Sequence, residues 1–214
     1  MRKIQYKLLS IFSFIYKNLY RNRLRVLAYH DVGDSELFTR QIEYLSSNYS
    51  IITIDQVKGN LFKNKPLPKF PLLLTFDDGD ISVLEKGFPI LIKNNCHACV
   101  FIITDLINTK VDFWFKTVRK KMKEGGICEM EINLIMNNFK KISNGERIEQ
   151  LKVFGTLPKK QLTKADLKLL IENNIFIGNH SHTHPMFNRC KPDEIVAELY
   201  NVKDFFKRSQ MEGY

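Results

Sequence analysis

Leu72–Asp80 reads LLLTFDDGD: an apolar run ends on two adjacent carboxylates and a glycine. An unbroken apolar stretch over 72–76 predicts a strand covered on both faces, as in a parallel sheet flanked by helices. Neighbouring side chains on an extended backbone point in different directions. Asp77 and Asp78 can therefore take two tasks in one site, one binding a cation and the other handling a proton. Gly79 lets the backbone turn tightly beside a ligand. The pair alone also fits a helix cap or a solvated loop.

Outward from this stretch, strand and helix patterns alternate. RVLAYHDV, 25–32, reads as a first strand, and IITI, 51–54, as a short second one. Phe38, Ile42 and Leu45 recur at helical spacing and predict a helix over 36–47. KNKPLPKFP, 63–71, is a turn rich in Pro and Lys. A helix is expected over 83–94 and a buried strand over 98–104. Residues from about 105 to 160 look helical and basic, broken at Gly125-Gly126, and read as an insertion between core elements. Within it, Phe113, Trp114 and Phe115 either anchor the insertion or offer a platform for sugar stacking. Thr163 and Asp166 form a shortened capping box for the next helix. NIFIGN, 174–179, reads as a strand, and Pro192 opens a helix reaching about Arg208. This alternation predicts a parallel α/β architecture, whose chemistry gathers at the carboxyl ends of strands.

A second polar cluster follows such a strand. GNHSHTHP, 178–185, holds His180, His182 and His184, three of the five histidines in the chain. His180 and His184 are spaced to converge on one metal. Two neutral imidazoles with one carboxylate make a common catalytic zinc set that leaves a position open for water.

The chain has 214 residues, 44% hydrophobic and 12% aromatic, enough for a globular domain with a real core. A net charge of +10 favours an anionic neighbour. No helix-turn-helix, zinc-finger or RNA-recognition signature is present, so nucleic acid is not an expected partner. Cys96, Cys99, Cys128 and Cys190 are too few and scattered for a disulfide scaffold, and Cys96-His-Ala-Cys99 reads as buried thiols at a helix-to-strand junction. Residues 1–25 form a basic amphipathic segment whose apolar run is far short of the roughly 20 residues that span a bilayer. No small-residue cleavage site follows that run. Such a helix either lies on an anionic membrane surface, giving a cell-envelope or membrane-associated location, or packs on its own domain.

Taken together, Thr75-Phe76-Asp77-Asp78-Gly79 and His180-Ser181-His182-Thr183-His184-Pro185 resemble the first two motifs of the polysaccharide deacetylases of carbohydrate esterase family four. Tyr29-His30-Asp31 and the FTRQIEYL helix agree. The resemblance runs from residue 26 to 214, apart from the insertion. It implies a distorted (β/α) barrel and hydrolysis of N-acetyl groups on N-acetylglucosamine-type sugars of a cell-envelope polysaccharide or its precursor. It further implies that Asp77 is the general base and that Asp78, His180 and His184 hold a divalent metal, with Zn²⁺ expected. Ser181 would support the loop by hydrogen bonding, while His182 and Thr183 fall on variable positions. The family's arginine-and-proline, aspartate-tryptophan and leucine-histidine motifs do not appear. The chain therefore reads as incomplete at its C-terminal side, and the alternative function is a non-catalytic remnant that binds carbohydrate or membrane.

Overall fold

The computed structural model describes residues 17–211. Most of the expected N-terminal amphipathic helix, residues 1–16, lies outside the described residues. The strand that opened the reading is present as β3, Pro71–Phe76, and every residue in it is buried. It pairs in parallel with β1, Arg25–Tyr29, with β2, Ser50–Ile51, and with β4, Ala98–Ile102. With β5, Ile175–Asn179, the strand order is β1-β3-β4-β5, and β2 lies against β3. The helices are α1, Ser35–Asn48; α2, Ile54–Lys63; α3, Phe88–Lys93; α4, Trp114–Glu124; α5, Glu129–Phe139; α6, Asn144–Leu151; α7, Lys164–Glu172; and α8, Pro192–Arg208.

By density of contacts the chain divides into two compact units. One runs up to Asp77 and adds Ser82–Val100 and Leu170–Phe176; the other holds Asp78–Ile81, Phe101–Leu169 and the chain from Ile177 onward. In the first unit, Asp34 caps α1 by accepting from the amides of Glu36 and Leu37. That helix buries Phe38 and Ile42, as their spacing predicted. Tyr29, Phe38 and Phe76 form an aromatic knot, with ring centroids 5.3–6.0 Å apart. Cys96 and Cys99 are buried free thiols, and burial pushes the Cys99 thiol up to about 12.

Three expectations shift. The second strand stops at Ile51 rather than residue 54, because Thr53 and Gln56 close a capping box and Ile54 begins α2. The helix over 83–94 is split: Val83–Gly87 is a π-helical turn and α3 follows. Pro89 in the first turn of α3 has no N–H to donate, so the ladder must be rebuilt around it. The first strand ends at Tyr29, and the Val32 amide beyond it donates to Ser82 Oγ at 2.9 Å.

In the second unit, α4 and α5 place Val118, Met122, Ile132, Met136 and Phe139 in one buried cluster at helical spacing. Trp114, Phe115, Leu151 and Phe154 pack against it. Phe113 is fully buried, as an anchoring role requires. The Thr163–Asp166 capping box is present at the start of α7, and α8 runs from Pro192 to Arg208 as read from the sequence. Among the described residues, no helix is long and apolar enough to cross a membrane.

Candidate metal centre

Asp78, His180 and His184 come together in the second unit. One ligand atom from each lies within 4.8 Å of the others. His180 Nε2 stands 3.3 Å from Asp78 Oδ1, and His184 Nε2 stands 3.5 Å from the same oxygen. Two ligands each about 2.0 Å from a tetrahedral ion are about 3.3 Å apart. The observed separations are therefore those a small divalent cation requires. The two imidazoles stack with ring centroids 5.2 Å apart, each with its Nε2 toward the carboxylate. Asp78 is only 7% exposed and has both imidazoles beside it. The donor set fits Zn²⁺, with nitrogen and oxygen ligands and a position left for water.

The backbone at this centre is strained in a telling way. Asp78, Ser181 and His184 have φ of 70°, 71° and 57°. Elsewhere the left-handed residues include Asn64, Asn95, Asn108 and Asn174, a residue type that tolerates it. Aspartate and histidine enter this region more readily than serine does, and a residue held there costs about 1–3 kcal/mol unless its surroundings hold it. Gly79, at φ 75°, has no alternative: a Cβ there would lie 2.9 Å from Ile102 Cγ2.

What holds the loop is visible. Ser181 Oγ donates to the His180 carbonyl and accepts from the His184 amide at 3.0 Å. Glu198 on α8, 8% exposed, accepts from the amides of His182 and Thr183 at 2.7 and 3.0 Å and from Thr183 Oγ1 at 2.5 Å. A carboxylate receiving three donors is a firm brace. His182 turns elsewhere, its Nδ1 2.9 Å from Thr104 Oγ1 and its Nε2 3.6 Å from Asp105. It does not join the group of Asp78, His180 and His184.

Asp80, two residues after Asp78 and 3% exposed, is held by Lys116 at 2.8 Å and Lys159 at 2.5 Å. Two cations on one buried carboxylate offset its desolvation. Both ammonium groups also lie over the Phe113 ring, at 5.0 and 5.1 Å. Phe115 packs on His184 at 5.3 Å, and a cavity of about 300 Å³ opens among Leu106, Trp114, Phe115, Arg147, Ile148 and His184. Asp77 belongs to the first unit and is half-buried, with its amide donating to the Tyr29 carbonyl at 2.8 Å.

Glu198, Asp80 and the two lysines were not singled out from the sequence. Glu198 shares a helical stripe with Val202 and Phe206, both buried, and a carboxylate on an apolar stripe is the signal that could have found it.

The family model for polysaccharide deacetylase matches residues 64–210. A comparison with curated protein sequences gives no match. Among solved structures, the chain is similar to IcaB from Ammonifex degensii at 18% identity and TM-score 0.60, covering 88% of this chain and 70% of that one. It is similar to the Streptococcus pyogenes deacetylase PplD, solved with acetate, at 18% identity and TM-score 0.57, covering 88% and 69%. Against BC0361, a polysaccharide deacetylase from Bacillus cereus, identity is 15% and TM-score 0.56, and the chain spans 48% of that protein's length while 89% of its own is covered. These likenesses show the fold, that of deacetylases of the (β/α)-barrel type. With the family model covering most of its length and both polar clusters inside the match, the chain belongs to the polysaccharide deacetylase family, hydrolases that cleave the carbon–nitrogen bond of N-acetyl groups.

Proposed function

We propose that the protein is a metal-dependent deacetylase of N-acetylglucosamine-type sugars in a cell-envelope polysaccharide or its precursor. The observation that carries this is the Asp78–His180–His184 group, whose separations of 3.3 and 3.5 Å suit a tetrahedral cation. Asp78, His180 and His184 would hold the ion, with Zn²⁺ expected. A bound divalent ion lowers the pKa of its water and polarises the acetyl carbonyl.

The chain's own residues supply a base and the supports of the histidine loop. Asp77, the residue before Asp78 in the sequence, takes the proton from the attacking water as general base. Ser181 and Glu198 keep the histidine loop in its left-handed turns, so the imidazole edges stay converged. The net charge of +10 suits an anionic envelope surface. Residues 1–25 are the segment proposed to touch an anionic membrane, and their deletion should release the chain from anionic vesicles.

Acetate release from N-acetylglucosamine oligomers tests the activity. Turnover should disappear with a chelator and return with Zn²⁺. Asp77→Asn should abolish turnover while still binding Zn²⁺. A Zn²⁺-loaded wild-type chain that releases no acetate contradicts the activity, and the second reading, a non-catalytic remnant, would then stand. An Asp77→Asn variant as fast as wild type contradicts the assignment of the base.

A further inference from the structure

Arg147 stands out among the charged side chains of the second unit. It lies on α6 and is 3% exposed. Its Nη1 donates to the His184 carbonyl at 3.1 Å, and its Nη2 donates to Asn144 Oδ1 at 2.7 Å. Its guanidinium carbon stands 4.8 Å from the centroid of the Trp114 ring, and its Nε has no hydrogen-bond partner among the described residues. Asn144 is in turn fixed by Glu194 at the start of α8, with Nδ2 donating to Oε1 at 2.9 Å. Burial lowers the guanidinium's pKa, and Cys190, Glu198 and Glu194 raise it only in part.

Packing alone would be served as well by an apolar side chain of this volume. A buried guanidinium that gives one donor to the carbonyl of a left-handed histidine and another to Asn144 has a more specific use. His184 has φ 57°, a conformation that persists only where neighbours over-determine it. Ser181 holds the amide side of that residue at 3.0 Å, and Arg147 holds the carbonyl side. Given the metal site proposed above, we infer that Arg147 is a positioning residue for His184. Through it, α6 fixes the imidazole for the cation, although α6 contributes no ligand. Partners of this kind, acting through a ligand, typically change metal affinity 10–100-fold when removed.

The test is Zn²⁺ affinity of the full chain, by competition with a chromogenic chelator, beside the unfolding temperature of each metal-free protein. Arg147→Met keeps the volume and removes the donors. It should weaken Zn²⁺ binding about 10–100-fold while the metal-free unfolding temperature stays near wild type. Asn144→Ala removes the guanidinium's other anchor and should give a smaller loss in the same direction. If Arg147→Met does not fold, Asn144→Ala decides. A folded Arg147→Met, or Asn144→Ala in its place, that binds Zn²⁺ as tightly as wild type overturns the role of Arg147 and leaves the metal site intact. A wild-type chain that binds no Zn²⁺ overturns both.

Discussion

The loop at 180–184 is held from several sides, and that is what a residue-scale account must explain. Ser181 and His184 adopt left-handed backbones without being glycine or asparagine, and Glu198 receives three donors from the same turn. Replacing Glu198 by Gln keeps the shape but removes the charge and turns one acceptor into a donor. Zn²⁺ affinity should fall, read by chelator competition, because the turn between His180 and His184 loses its brace. Unchanged affinity would assign Glu198 to helix packing alone. Gly79→Ala should be harsher, because the added Cβ meets Ile102 at 2.9 Å on a backbone that L residues avoid. Its soluble yield and metal content should both drop. Asp78, His180 and His184 were legible as a candidate group because carboxylates and histidines after apolar strands are conspicuous. Glu198 and Arg147 were not, because a charged residue on a helix reads as solvent-facing until the partner across from it is known.

At the scale of elements, caps and stripes decide where helices lie. Thr53–Gln56 and Ser143–Glu146 both form full capping boxes, at the starts of α2 and α6. Thr53→Ala and Ser143→Ala should each cost about 1 kcal/mol in urea unfolding. The Thr53 box was written in the sequence as TIDQ, yet the isoleucines of IITI read as strand because β-branched residues fit strands so well. The π-helical turn at Val83–Gly87 had its trace in Pro89, whose missing N–H breaks the ladder, but the apolar spacing over 83–94 was read as one helix across it. The region of α4 and α5 was legible as helical, while its packing through Val118, Met122, Ile132 and Met136 became plain only in the structure. Ile132 is wholly buried in that cluster, and Ile132→Ala should cost about 2–5 kcal/mol, measured by the same unfolding midpoint.

For the molecule as a whole, alternating strands and helices and two separated motifs were enough to read the α/β class and the family. The order β1-β3-β4-β5 and the division into two units depend on tertiary pairing that no local pattern encodes. Global stability should also carry a mark of the buried thiol. Cys99 ionises near 9.0 when unfolded and near about 12 when folded, chiefly through burial, with Lys58 lowering and Asp55 raising it. Its protonated form therefore favours the fold fully below pH 9, and that contribution is lost as pH climbs toward 12. Cys99→Ala should flatten this part of the alkaline decline, seen in unfolding midpoints from pH 8 to 11. An identical decline in the variant would assign it to other groups.

Asp78, His180 and His184 are expected to hold one divalent ion together. Metal content of the purified chain tests it most directly, with wild type beside Asp78→Ala and His184→Ala. About one divalent ion per wild-type chain, lost in both folded variants, is the predicted result. A wild-type chain that takes up no divalent ion, or variants that keep it, would contradict the account.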